Sequence, residues 1–398
     1  MTTAVAARSD ALFEGLTPQP PDVVLSLIRA FAEDPREGKI DLGVGVYRDA
    51  AGRTPVFAAM KAAEARLLET QATKAYLGPE GDFGFLEAIA PVAFGQGLSA
   101  AQMFGVQTPG GTGALRLAAE LANAGRPSAR IWLGTPSWPI HGQIFAEAGL
   151  TVRTFEQYDA FEQRLMFEEM MTALGQAEAG DVVLLHGCCH NPSGADPSAE
   201  QWRQIAALVA ERGLVPLIDL AYQGLGDGLE PDAAGLRTVL DVCETAMVAY
   251  SCDKNFGLYR ERTGALFVRA GRHQEAARTN VLKFARCAWS MPPDHGAAAA
   301  RIILEDEALS AQWREELEAC RQRLASVRQA LAEAEPRLAA IGQQKGMFSI
   351  LPLTPDQVAR MRQEFGVYML GNGRINLAGL TPSNIPAFVR AFRACAEE

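Results

Sequence analysis

Apolar residues recur at helical spacing in "PPDVVLSLIRAF" (residues 20–31) and through "PVFAAMKAAEARLLETQ" (55–71), predicting two amphipathic helices with "KIDLGVGVY" (39–47) between them as a short strand and turn. A glycine-rich turn in "TPGGTGALRLAAEL" (108–121) opens a further helix, and "RIWLG" (130–134) follows as a strand. The middle of the chain then repeats one rhythm, an apolar run followed by a polar turn and a helical stretch. The runs are "DVVLLHG" (181–187), "LVPLIDL" (214–220), "TAMVAYS" (245–251) and "GALFVRA" (264–270), short and rich in Val, Leu and Ile. This alternation predicts an α/β architecture, a mostly parallel sheet with helices on both faces. Open sheets of that kind bind ligands beyond the carboxyl ends of their strands. His186, Asp219, Ser251 and Lys254 close these runs and are therefore expected to meet in one cleft.

After about residue 296 the pattern changes to a long charged helix ("DEALSAQWREELEACRQRLASVRQALAEAE"), then "GMFSIL", a helix from Thr354, "GVYML", "GRINLAGL" and a final helix. A second, smaller α+β unit is the expectation. The division anticipated is an N-terminal arm over 1–16, residues 17–48 joining the small domain, a large domain over 49–310, and the rest of the small domain over 311–398. No repeat of twenty to fifty residues and no low-complexity tract interrupts it.

At 398 residues the chain exceeds a single small module. With 48% apolar and 21% charged residues, neither disorder nor a membrane span is indicated. The formal net charge of -10 argues against a sequence-wide nucleic-acid surface, so any anion site has to be local. Seven cysteines without framework spacing suit free thiols in a reducing compartment. "MTTAVAARSDALFEGL" shows no basic stretch followed by an apolar one, and a cytoplasmic location is expected.

Lys254 in "SCDKNFGLYRERTG" reads either as a solvated charge or as a nucleophile, the latter helped by Arg260 and Arg262, since neighbouring cations favour a neutral amine. Gly257 in the same stretch suits a close backbone approach. "PGGTGALR" offers backbone N–H groups at a helix start to a phosphate, but it lacks the features of a Walker loop or a dinucleotide fingerprint, and glycines for packing are an equal reading. In "HGCCHNPSG", His186, Cys188, Cys189 and His190 are too compressed for one zinc, because adjacent cysteines on an extended strand point apart. No metal is expected. Asn191 there presents an amide to a ligand oxygen. Asp219, ending an apolar strand, either caps the following turn or is a buried carboxylate requiring a cation, a donor or a protonated heterocycle. Trp138 reads as core or as a stacking platform. Arg286 and Arg374 have the planar fork that grips carboxylates.

Taken in order, "TPGGTGALR", "PSWPIH", "HGCCHNPSG", "LIDLAYQG", "SCDKNFGLYRERTG", "PPDHGA", "GMFS" and "GRINLAGL" resemble the aspartate and aromatic amino-acid aminotransferases of the pyridoxal-phosphate fold-type I class, over nearly the whole chain. The resemblance implies that Lys254 forms a Schiff base with pyridoxal 5'-phosphate (PLP) and moves a proton, and that Asp219, supported by His141 and His186, pairs the pyridine nitrogen. It makes Asn191 and Tyr222 donors to the cofactor's phenolic oxygen. Gly111, Thr112, Ser251 and Arg262 become the phosphate cradle, joined by Tyr76 of a second subunit. Trp138 stacks on the ring, Arg374 grips the substrate α-carboxylate beside Gly45, and Arg286 reaches over from the partner to a distal carboxylate. The implied assembly is a homodimer with shared active sites, acting on amino-acid and 2-oxo-acid substrates.

Three positions depart from the family's usual pattern. Asp253 replaces a small residue before the lysine, and either points away or bears on Lys254. Trp289 and Ile140 replace a Tyr and an Asn, leaning the side-chain pocket toward aromatic substrates. The expected activity is transamination of aspartate and aromatic amino acids with ping-pong kinetics. β-Elimination or decarboxylation on the same scaffold is the alternative. A PLP-binding regulator would require a fused DNA-binding domain, for which the short arm leaves no room.

Overall fold

A computed structural model describes residues 13–95 and 102–396. Most of the anticipated arm (residues 1–12) lies outside the described residues. The centre is a seven-stranded sheet. Its strands are β1 (Phe104–Pro109), β2 (Arg130–Thr135), β3 (Thr151–Glu156), β4 (Val182–His186), β5 (Val215–Leu220), β6 (Thr245–Ser251) and β7 (Thr263–Ala270). Their spatial order is β1-β7-β6-β5-β4-β2-β3. All pairings are parallel except those of β7, which runs antiparallel to both β1 and β6.

The alternation of side chains along each strand divides the interior in two. Val182, Leu184, Leu217, Met247 and Leu266 join one apolar cluster, with Leu115 and Leu117 of the helix Gly110–Gly125. Val183, Leu185, Ile218, Val248 and Phe267 join the other, with Trp202 and Ile205 of the helix Ala199–Glu211. Both faces being covered, β4 and β5 carry almost no exposed residue. The edge strand β3 differs: of "TVRTFE" only Phe155 is buried. Its polar composition leaves no periodic signal, which is why the sequence pattern does not reveal it.

The long helix Glu307–Ala334 starts at Asp306, whose side chain accepts from Leu309 N, and buries a stripe of Trp313, Leu317, Cys320, Leu324, Val327, Arg328 and Leu331. An arginine in such a stripe requires partners. Arg328 donates to the carbonyls of Ile341, Lys345, Gly346 and Phe348 and to Ser349 Oγ, tying the segment 341–349 to the helix. Ile40–Asp41 pairs in parallel with Val367–Tyr368, and Phe348–Ile350 pairs antiparallel with Arg374–Asn376. Residues near 40 are thus joined to the C-terminal part of the chain. No helix among the described residues is long and apolar enough to cross a membrane.

Candidate active site

Strands β4, β5 and β6 are in register, with His186 opposite Asp219 and Asp219 opposite Ala249, so the residues at their carboxyl ends face a common space. That space is a cavity of about 270 Å³. Asp219, Lys254, Tyr222 and Asn191 border it together with Trp138 and His186. Gly111, Thr112, Ser251 and Arg262 line it as well, as do Gly45 and Arg374.

Asp219 is not a turn cap. Its Oδ2 lies 3.1 Å from Nε2 of the buried His141, whose Nδ1 meets Ser137 Oγ at 2.8 Å. Burial by itself raises the carboxyl pKa. The His141 hydrogen bond, with the fields of His141, His186 and Lys254, outweighs that and holds the group below the ordinary carboxylate value. His186 stands one ring further out, its centroid 5.2 Å from that of His141. Burial and the proximity of His141 hold it down to about 3, so it is a neutral imidazole at neutral pH. Support for Asp219 therefore comes by direct hydrogen bond from His141, while the buried Nε2 of His186 has no hydrogen-bond partner among the described residues.

Tyr222 accepts a 3.3 Å hydrogen bond from Asn191 Nδ2, and burial together with the Asp219 charge pushes its phenol pKa up, so the hydroxyl keeps its proton. Lys254 Nζ lies 5.2 Å from the Tyr222 ring centroid. The lysine's loop is fixed from beneath. Trp313 Nε1 donates to Asn255 O at 2.7 Å, Phe256 stacks on Trp313 with centroids 4.4 Å apart, and Asn255 Nδ2 donates to Tyr250 OH at 2.9 Å. The sequence pattern does not reveal the Trp313 support, since that residue lies far along the chain. Arg260 is exposed, and the charged group beside Lys254 is Asp253, an anion, with Oδ2 at 3.7 Å. Asp253 does not point away. Gly257 adopts φ +67, and a Cβ added there would meet only Pro55 O, at 3.9 Å, so the turn's left-handed backbone rather than a close approach requires glycine.

The cradle is built by close backbones. Gly110 has φ +68, and a Cβ there would lie 2.5 Å from Arg262 Nη2, while one on Gly264 would lie 2.6 Å from the Gly110 carbonyl carbon. Strand β7 thus brings Arg262 against the N-terminus of helix Gly110–Gly125, which supplies N–H groups and a positive dipole end. Arg374 is buried and makes no ion pair among the described residues. It donates to Gly43 O (2.9 Å) and Asn191 Oδ1 (3.4 Å), its Cζ is 4.6 Å from the Phe348 ring centroid, and its Nε is unpartnered. Asn376 donates to the carbonyls of Val44 and Val46, holding the Gly45 loop alongside.

Two predicted residues are not brought in. Tyr76 is 90% exposed and Arg286 is exposed with its guanidinium on Ser290 Oγ; neither borders the cavity within one chain. Trp289 and Ile140 pack against the apolar cluster that holds Leu115 and Leu117 and do not border the cavity either. The two adjacent cysteines depart from expectation. The chain has left the strand by Cys188, Cys189 has φ +52, and both sulfurs lie within 4.8 Å of each other and of the Asp232 carboxylate instead of pointing apart. Asp232 accepts from the N–H groups of Gly224, Gly226 and Asp227. The hydrogen bond with Cys189, then burial, pushes Cys188 up; for Cys189 the bond with Cys188 favours the thiolate, but burial together with the charges of Asp232 and Asp196 outweighs it and takes the thiol up to about 12.

A lysine, a shielded carboxylate and an anion cradle at one end of a doubly covered sheet are the equipment of an enzyme that works through a phosphorylated aldehyde cofactor. The chain belongs to the family of class I and II aminotransferases, which matches residues 37–392. It is 53% identical to the tyrosine aminotransferase of Rhizobium meliloti (strain 1021), over 93% of this chain and 96% of that one. It is 45% identical to the aspartate aminotransferase of Salmonella typhi, over 96% of this chain and 100% of that one. The aromatic-amino-acid aminotransferase from Burkholderia pseudomallei, covalently bound to pyridoxal phosphate, superposes with a TM-score of 0.93 at 36% identity, over 96% and 99% of the two chains.

Proposed function

We propose that this protein is a PLP-dependent transaminase that moves the amino group of aspartate and of aromatic amino acids to a 2-oxo acid such as 2-oxoglutarate, by a ping-pong mechanism. The observation that carries this reading is the meeting of Lys254, Asp219 and the Gly111–Arg262 cradle in one cavity. The residues present fit the cofactor. Asp219 stays anionic opposite Lys254, the glycines leave a recess that a Cβ would fill, and Arg374 is a buried cation awaiting a carboxylate. When bound, PLP supplies an aldehyde that condenses with amines and a ring that withdraws electrons from the substrate Cα.

The chain's own residues supply the rest. Asp219 would keep the ring nitrogen protonated, and Lys254 Nζ would move the proton between the substrate Cα and the cofactor's C4′. Asn191 and Tyr222 donate to the phenolic oxygen. Trp138 covers the ring, and Gly111, Thr112, Ser251 and Arg262 hold the phosphate. Arg374 orients the α-carboxylate beside Gly45. Tyr76 and Arg286 act from the partner subunit of a homodimer, which agrees with their exposure in one chain. The proposed units are a large domain over 49–310 and a small one formed by 17–48 with 311–398, a division supported by the pairing of Ile40–Asp41 with Val367–Tyr368. The free thiols of Cys188, Cys189, Cys243, Cys252, Cys287 and Cys320 support the cytoplasm as its compartment.

Purified protein is expected to absorb in the visible, to lose that band with aspartate or phenylalanine, and to recover it with 2-oxoglutarate. Lys254→Ala should lack the band; an identical band in both proteins would refute the lysine's role.

A further inference from the structure

Asp253 stands where the resembled family usually has a small residue, and its carboxylate turns into the cavity. Oδ2 lies 2.7 Å from Arg262 Nη1 and 3.7 Å from Lys254 Nζ, while the buried Oδ1 has no hydrogen-bond partner among the described residues. The backbone N–H of Asp253 donates to Ser251 Oγ at 3.2 Å, which fixes its backbone beside a member of the cradle. The Arg262 guanidinium also donates to Tyr259 O at 3.2 Å and lies against Gly110. The anion already on the cradle's arginine thus belongs to the protein itself.

We propose that Asp253 competes with the cofactor's phosphate for Arg262, so that this cradle is occupied from within and holds its cofactor in an exchangeable way. The inference rests on the reading of the cradle as a phosphate site. A phosphate monoester carries about -1.5 to -2 charges at neutral pH. Entering beside Gly111, Thr112 and Ser251, it meets a carboxylate on the same guanidinium. Like charges sharing one site oppose each other. Asp253 must then give up Arg262 for Lys254 or share it, and either weakens binding relative to a neutral side chain. A carboxylate that only orients Arg262 would have the opposite effect, because its removal would loosen the guanidinium and weaken phosphate binding. The sign of the change separates the two roles.

The test is titration of the apoprotein with inorganic phosphate, with PLP and with pyridoxal, in wild type, Asp253→Asn and Asp253→Ser, each checked for folding by thermal melting. The expected result is phosphate and PLP binding tighter by about tenfold or more in a folded variant, with pyridoxal, which lacks the phosphate, within about twofold. Unchanged or weaker phosphate binding in the folded variants overturns the competition. Inorganic phosphate binding with no PLP binding in any protein would sink the cofactor reading while the phosphate affinities still decide the role of Asp253. No phosphate binding in any of the three overturns both.

Discussion

Asp219 shows how a carboxylate is kept charged out of water. Its folded-state pKa lies below the ordinary 3.8, so whatever stability the ionised group contributes is present above about pH 4 and is lost only as pH falls through the lower folded value. Asp219→Ala should lower kcat on the order of 10²-fold or more, in steady-state assays with aspartate and with phenylalanine alike. His186 has linkage of the same sign in a higher pH window. Neutral when folded, it binds a proton more readily once unfolded, so stability falls as pH drops below 6.5 toward 3. That slope is at most about 1.4 kcal/mol per pH unit for one proton, and denaturant titrations between pH 7 and 5 should show it reduced in His186→Asn. At Gly110, alanine would meet both φ +68 and the Arg262 guanidinium. Gly110→Ala is expected to cost about 1–2 kcal/mol of stability and to raise the Kd for PLP, measured by titration of the apoprotein.

At the scale of elements, the site is held by segments distant in sequence. Arg328 clamps the strand that carries Phe348, and Phe348 in turn packs on Tyr222 and lies beneath Arg374. Replacing Arg328 with leucine leaves several buried carbonyls without donors. The variant should unfold at lower denaturant, by about 3 kcal/mol, and show a raised KM for amino acids because Arg374 loses its platform. Trp313 does for Lys254 what Arg328 does for Arg374, reaching from the same long helix to the Asn255 carbonyl. The central strands β4 to β6 are legible as apolar runs because they are covered on both faces. The edge strands β1 and β3 are not, since β1 buries the polar Gln107 and Thr108 and β3 buries only Phe155.

For the whole molecule, the exposed Tyr76 and Arg286 make a dimer with shared sites testable. Lys254→Ala and Arg286→Ala proteins, each poorly active on aspartate alone, should regain activity when unfolded together and refolded. One site of each hybrid dimer then carries neither lesion, and about a quarter of wild-type activity is expected from random pairing. No recovery would place Arg286 outside the partner's site.

The order of motifs along the chain, read with the hydrophobic pattern, determined the sheet's kind, the end at which the cavity opens, and most of the residues around it. The sheet and the cleft follow from local chemistry, since apolar runs make buried strands and polar residues at their ends have to face a cleft; most of the further residues around it are what the resemblance implies. Only the tertiary structure decided which way the side chains of Asp253, Cys188 and Cys189 turn, that β7 runs against its neighbours, and that Arg328 and Trp313 brace the site. Direction and pairing between distant segments are set by packing against elements far along the chain, where no local pattern carries the information.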